Sequence, residues 1–329
     1  MAAITRRAFG FALGAIALST TMPAAFAQSS FPNKPVTIII GYPPGGPTDI
    51  YARVLGKALS EMWKQTVVID NRPGASGTIG AQQVLRAAPD GYTLSFTNNA
   101  TNGAVELLSP KSTPFRTMRD FAPVALFGIS PSLMVARSSL GVKDAKEFVA
   151  LARSQPGKLS YGSSAVGSAP HMASELFQSS AGIKMLHVPY SGAAPIIQAL
   201  LGDNIDMYIG GASTVMGQVK TGRLRVIGTV HPTRLKSAPD VPTMAEQGFK
   251  NVEYASWFGL LASSQVPGPV LEQINAAVRK VMESPELKAQ VEQLGVEYMS
   301  LSRQQFQSFL QDEVDKTARI ITEQKMALE

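Results

Sequence analysis

From Phe31 onward, short runs rich in β-branched and aromatic residues alternate with stretches whose apolar positions recur every three or four residues. The runs Val36–Ile40, Thr66–Ile69, Tyr92–Thr97, Leu133–Ala136, Leu159–Tyr161, Ile205–Ile209 and Leu224–Val230 predict strands. Between them, Ile50, Val54, Leu55, Leu59 and Met62 make one apolar helix face, and Phe148, Leu151 and Ala152 make another. The last third predicts helices over Val270–Met282 and Pro285–Leu294, then a final helix opened by the capping box Ser302-Arg303-Gln304-Gln305. Thr243-Met244-Ala245-Glu246 is a second such box. This alternation predicts an α/β fold of mostly parallel sheets flanked by helices.

The chain has 329 residues, 45% of them hydrophobic and 16% charged, which is enough to fill two ordinary cores and argues against disorder. It contains no cysteine, so disulfides, thiolate nucleophiles, cysteine metal sites and a lipid-modified N-terminal cysteine are excluded. Three histidines, His171, His187 and His231, are few for a metal centre, and neither a metal nor a cofactor is expected. No run of Lys and Arg suggests a nucleic-acid surface.

Arg6-Arg7, the apolar stretch Ala8–Leu18 and Ala25-Phe26-Ala27 read together as a cleavable export signal over 1–27. Its start is twin-arginine-like, and Sec export stays open. Removing it takes away two arginines and no acids, which lowers the formal net charge from +6 to +4. The expected product is periplasmic and monomeric.

Two loops carry the chemistry. Val36–Ile40 runs into Gly41-Tyr42-Pro43-Pro44-Gly45-Gly46-Pro47-Thr48-Asp49 and then a helix. Leu159-Ser160-Tyr161 runs into Gly162-Ser163-Ser164-Ala165-Val166-Gly167-Ser168 and then the helix of His171 and Glu175. Each places small residues where a strand ends and a helix begins, a position whose unpaired N–H groups and helix dipole attract carboxylate or phosphate. A nucleotide is rejected: Ser168 stands where a P-loop needs lysine, and neither loop reads G-x-G-x-x-G. There is no G-x-S-x-G elbow and no H-E-x-x-H pair either. Each loop alone reads equally well as a structural turn; their pairing in an exported chain favours two half-sites for one small anion. Tyr190, Gly192 and Ala193 form a third turn before a helix and are expected to line the cleft, and Asn98 and Asn99 end a strand where a doubly wound sheet meets its ligand. Asp49 reads either as a group bonding the ligand or as a helix cap.

Further motifs follow in order: Ala52-Arg53 after the first loop, Asp70-Asn71-Arg72-Pro73-Gly74 with Gly77-Thr78-Ile79-Gly80, Pro89-Asp90-Gly91-Tyr92-Thr93-Leu94, His187-Val188-Pro189-Tyr190 with Gly192-Ala193-Ala194-Pro195, and Asp240-Val241-Pro242-Thr243. With the two loops, this set resembles the extracytoplasmic solute receptors of tripartite tricarboxylate transporters, the Bug family, over essentially the whole chain after the leader. The resemblance implies a two-domain periplasmic-binding clamshell of type II-like architecture. Domain one would be 28–127 with 257–329 and domain two 128–256, with crossings near Val124–Ser130 and Glu253–Gly259. It implies a ligand carboxylate held by Ser163, Ser164, Gly167 and Ser168, faced by Tyr42, Pro44, Gly45, Gly46, Thr48 and Asp49, partly through ordered water. The expected function is capture of a small organic carboxylate and its delivery to membrane transporter subunits, without covalent chemistry. A receptor read by a membrane sensor kinase is the main alternative, and an exported hydrolase a third.

Overall fold

The computed structural model describes residues 31–326; the export signal expected over 1–27 lies outside the described residues. The chain first forms β1 (Val36–Ile40), α1 (Pro47–Trp63), β2 (Val67–Asn71), α2 (Thr78–Arg86), β3 (Thr93–Asn98) and the short helices α3 (Val105–Leu108) and α4 (Thr117–Asp120). Next come β4 (Phe121–Ser130), β5 (Ser132–Arg137), α5 (Ala145–Ser154), β6 (Ser160–Ser163), α6 (Ala169–Ala181) and β7 (Leu186–Pro189). They are followed by α7 (Ala193–Leu201), β8 (Met207–Gly211), α8 (Ala212–Lys220), β9 (Leu224–Val230), β10 (Ser256–Ser263), α9 (Gly268–Met282), α10 (Pro285–Gln293) and α11 (Arg303–Glu323).

Val36, Ile38, Ile39 and Ile40 of β1 are essentially unexposed, so both faces of the strand are covered. Such a strand belongs in the middle of a sheet with helices on both sides. Accordingly β1 lies between β2 and β3, parallel to both, in a sheet of order β2-β1-β3-β10-β4. The second sheet repeats the plan as β7-β6-β8-β5-β9. The parallel pairing expected from the sequence holds among β1, β2 and β3 and among β6, β7 and β8. One strand in each sheet is reversed: β10 is antiparallel to β3 and β4, and β5 to β8 and β9. The sheets are therefore mixed, and the reason is topological. β5 enters the second sheet one residue after β4 leaves the first, and β10 enters the first directly after Tyr254 in the core of the second. Neither has the crossover helix that a parallel return requires.

On one face of the first sheet Leu94, Phe96 and Leu260 pack against α1 and α9, and on the other Ile39 and Trp257 meet Val84 of α2 and Phe306 of α11. The second sheet is covered by Phe148 of α5 and Phe177 of α6 on one side and by Ile196 of α7 and Val215 of α8 on the other. α11 serves both lobes: Phe306 and Leu310 sit in the first, Ile320 in the second, and Thr317 meets the Tyr254 hydroxyl at 2.6 Å. From Phe31 onward the chain forms one compact unit by its contacts. The buried stripe of α1 is Tyr51, Ala52, Leu55 and Leu59, whereas Ile50, expected on it, is 39% exposed. The rotation seats the Tyr51 ring between Phe127 (5.5 Å) and Phe258 (4.8 Å), which buries more area than isoleucine would. Among the described residues no helix is long and apolar enough to cross a membrane.

Candidate functional site

A cleft of about 300 Å³ lies between the two sheets. Four helices begin at it: α1 with Gly46, Pro47 and Thr48, α6 with Ser168, Ala169 and Pro170, α7 with Gly192 to Pro195, and α8 with Gly211 and Thr214. None of its lining residues is an acid, a lysine, an arginine or a histidine. The first turn of a helix leaves backbone N–H groups without intrahelical partners and carries roughly half a positive charge. One helix start from the first lobe, that of α1, and three from the second, those of α6, α7 and α8, thus make the cleft attractive to an anion without any formal cation.

The first-lobe wall begins where β1 ends. Gly41 is needed there because a Cβ would lie 2.5 Å from the Gly77 Cα. Tyr42 follows, its hydroxyl 3.2 Å from Asn98 Oδ1 and 3.1 Å from Thr101 Oγ1. Burial raises the Tyr42 pKa, which keeps a neutral phenol at the wall. Asn98 Nδ2 in turn donates to Thr48 Oγ1 at 3.3 Å.

Asp49 supports this wall from behind. Its carboxylate accepts from the Gly45 N–H at 3.0 Å, Asn71 Nδ2 at 2.9 Å and Arg53 Nε at 2.9 Å, and Asn71 also donates to the Tyr42 carbonyl. Burial by itself raises the Asp49 pKa, but the bonds from Arg53, Gly45 and Asn71 reverse this and the net shift is downward. The residue is 3% exposed and absent from the lining, so it fixes the Gly45–Thr48 turn and does not reach the cleft.

On the second lobe, Ser164 and Ser168 line the cleft. Ser163 does not: it is fully buried, donates to the Ala165 carbonyl at 3.0 Å and lies 2.7 Å from His187 Nε2. Gly167, at φ +77°, also points away, and a Cβ on it would stand 2.7 Å from the Ala104 Cβ of the opposite lobe. Its N–H donates to His171 Nδ1 at 3.0 Å. Tyr190 packs among the apolar residues around α7, and its N–H donates to the Ser163 carbonyl.

The structure therefore brings together Tyr42, Pro44, Gly45, Gly46, Thr48, Asn98, Ser164, Ser168, Gly192 and Ala193, and places Asp49, Ser163, Gly167 and Tyr190 behind them as support. The sequence reading missed the floor: Tyr51, Ser130, Ser132, Tyr208, Ser256 and Phe258, while Asn99, read with Asn98 at the end of β3, does line it. Tyr51 was accessible in principle, three residues after Thr48 and hence on the same helical face. Ser130 and Ser132 flank Pro131 at the crossing, while Tyr208 and Phe258 lie in strands with no local signal. No group of three or more metal-ligating side chains gathers among the described residues.

Residues 51–326 match the family model described as the tripartite tricarboxylate transporter family receptor. The protein BugT of Bordetella pertussis is 29% identical over 311 residues, covering 94% of this chain and 95% of that one. Among solved structures, Rpa4515 of R. palustris with adipate superposes with a TM-score of 0.86 at 29% identity, covering 90% of this chain and 99% of that one. MatC from Rhodopseudomonas palustris with bound malate gives 0.82 at 29% identity, covering 88% and 100%.

Proposed function

The chain belongs to the tripartite tricarboxylate transporter family of receptors, solute-binding proteins of the periplasmic-binding fold, and from that premise we propose that it captures a small organic carboxylate between its lobes and hands it to a membrane transporter. The carrying observation is a cation-free cleft at which helices of both lobes begin. Hydrogen bonds to a charged group contribute roughly 1.5–3 kcal/mol each, so a few convergent neutral donors suffice for a carboxylate. In this reading the serines and tyrosines of the lining act as neutral hydrogen-bonding groups, and the solute is released unchanged. Adipate and malate, carried by the two relatives above, are the first ligands to try. In this reading the protein is exported with cleavage after Ala27. Residues 28–127 with 257–329 and residues 128–256 act as two domains of a clamshell.

Calorimetric titration with adipate, malate and a monocarboxylate is the test. At least one should bind, and Ser164→Ala should weaken it roughly ten- to hundredfold, since about 1.4 kcal/mol is a factor of ten. Saturating carboxylate without heat, or a folded Ser164→Ala protein that binds as the parent does, would sink the assignment. Because each lobe supplies only half of the contacts, ligand should also favour a closed arrangement. Small-angle scattering is expected to show a smaller radius of gyration with ligand; an unchanged radius at saturation would remove the clamshell.

A further inference from the structure

We propose that His171 and His187 are positioning residues that hold the Ser163–Ser168 loop in its binding shape, and that they do so only while both imidazoles are neutral. The inference rests on the carboxylate reading for what the loop binds, though not for how the loop is held.

The loop has no charged residue and, beyond Ser163 at the end of β6, no regular structure of its own. Its shape depends on a few bonds. Ser163 and Ser168 both donate to the Ala165 carbonyl, at 3.0 and 2.6 Å, and the Gly167 N–H donates to His171 Nδ1 at 3.0 Å. His187 Nε2 lies 2.7 Å from Ser163 Oγ. A serine has one proton to give. With that proton on Ala165, His187 must donate its Nε2–H to Ser163. With Nδ1 accepting from Gly167, His171 carries its proton on Nε2. The two rings stack at 4.1 Å with 9° between planes, and Tyr161 stacks on His187 at 4.9 Å. His171 is 7% exposed.

The groups facing the pair offer no compensation for a charge. From β6 comes Tyr161, whose hydroxyl is bound to the Glu175 carboxylate of α6, and Glu175 is further engaged by Gln178 at 2.8 Å. From the opposite lobe, Ala104 and Leu108 meet the loop at Gly167. A proton on His171 Nδ1 would replace an acceptor by a donor aimed at the Gly167 N–H. A second proton, on His187, would set two cations about one ring-stacking distance apart. Burial, and for His171 also its neighbour His187, hold the two pKa values at about 3 for His171 and about 4 for His187. These lie below the ordinary histidine value near 6.5, so acid favours the released loop, in which the imidazoles are more basic. The hold is complete above about pH 6.5 and weakens as the pH falls toward 4.

Two variants separate this role from simple packing. His171→Gln keeps an acceptor but cannot titrate, and His171→Phe keeps a stacked ring but has no acceptor. Amide hydrogen exchange of the ligand-free protein, followed by NMR, should show the Gly167 protection factor of the parent falling by up to about a hundredfold per pH unit between pH 6 and 4, as up to two protons are taken up per opening. In His171→Gln, where only His187 is left to titrate, the slope should fall to about tenfold per pH unit or less. In His171→Phe protection should be lost tenfold or more already at pH 7, and adipate or malate should bind at least tenfold more weakly, while His171→Gln stays within a few-fold of the parent. The proposal is overturned if His171→Phe protects Gly167 as the parent does, or if His171→Gln keeps the full pH slope of the parent. If the parent binds neither probe, the ligand reading fails and the exchange series decides the loop proposal alone.

Discussion

Replacing Gly167 by valine is expected to abolish ligand binding, with a loss of affinity of a hundredfold or more, while the protein still folds. Two physical terms act at this position. The backbone stands at φ +77°, where a β-branched side chain is a true outlier and where strain of about 1–3 kcal/mol is the usual cost. In addition, the first side-chain carbon would stand 2.7 Å from the Ala104 Cβ and 3.0 Å from Leu108 Cδ1. Ala104 and Leu108 belong to the other lobe, so this clash can be relieved by holding the lobes apart, and that is the motion binding has to reverse. A hundredfold loss corresponds to about 2.8 kcal/mol, within reach of the two terms together. The same argument predicts that Gly167→Ala does most of the damage, because the offending atom is the Cβ itself. If side-chain bulk in the ligand's path were the cause, alanine would be mild and valine severe. Calorimetry on both variants, with thermal melts to confirm folding, decides the matter. A folded Gly167→Val protein binding as tightly as the parent would show that this lobe contact has no part in the bound state.

What the sequence made legible was mostly local. β1 reads as a buried central strand because all five of its side chains lack charge and most are aliphatic. The loops after β1 and β6 read as anion sites because small residues at a strand-to-helix junction have few other uses that explain their pairing. The failures share one cause, namely partners far away in the chain. Ser163 looked like a ligand contact until the fold placed His187, 24 residues on, against its hydroxyl. Tyr190 was read as lining the cleft, yet it packs against apolar residues around α7, where it holds the end of β6 through its own N–H. The floor of the cleft draws on Tyr51, Ser130, Tyr208 and Phe258, spread over more than two hundred residues and brought together only by the two reversed strands and the Pro131 crossing. The resemblance to a known family added the expectation of which residues of the two loops hold the ligand and which face them, but not the direction in which each loop side chain points.

Asp49 shows the difference most sharply, and it carries the second large expected effect. Replacing it by alanine should lower the melting temperature by several degrees and weaken ligand binding about tenfold, even though the carboxylate does not reach the cleft. Its bonds to the Gly45 N–H and to Asn71, at 3.0 and 2.9 Å, involve a charged acceptor in a buried setting, where roughly 1.5–3 kcal/mol per bond is usual. The ion pair with Arg53 adds little, since that side chain is 51% exposed and largely screened. Asn71 is only half-buried and can recover some hydration, so the net stability loss is set at about 2–3 kcal/mol. Freed from Asp49, the Gly45 N–H and the Asn71 amide no longer tie the turn to β2, and the Gly45–Thr48 rim must be ordered by the ligand instead. The pH dependence identifies the carboxylate. Its pKa is lowered in the folded chain, so its contribution is full above the ordinary value near 3.9 and is lost as the pH falls through the lower folded one. The melting-temperature gap between parent and Asp49→Ala should therefore stay constant from pH 7 down to about 5 and narrow below about 4. Asp49→Asn, which keeps one acceptor but turns an amide toward Asn71, should fall between the two. Equal gaps at pH 7 and pH 3 would mean that the alanine variant is destabilised by lost packing and that the charge of Asp49 does not hold the turn.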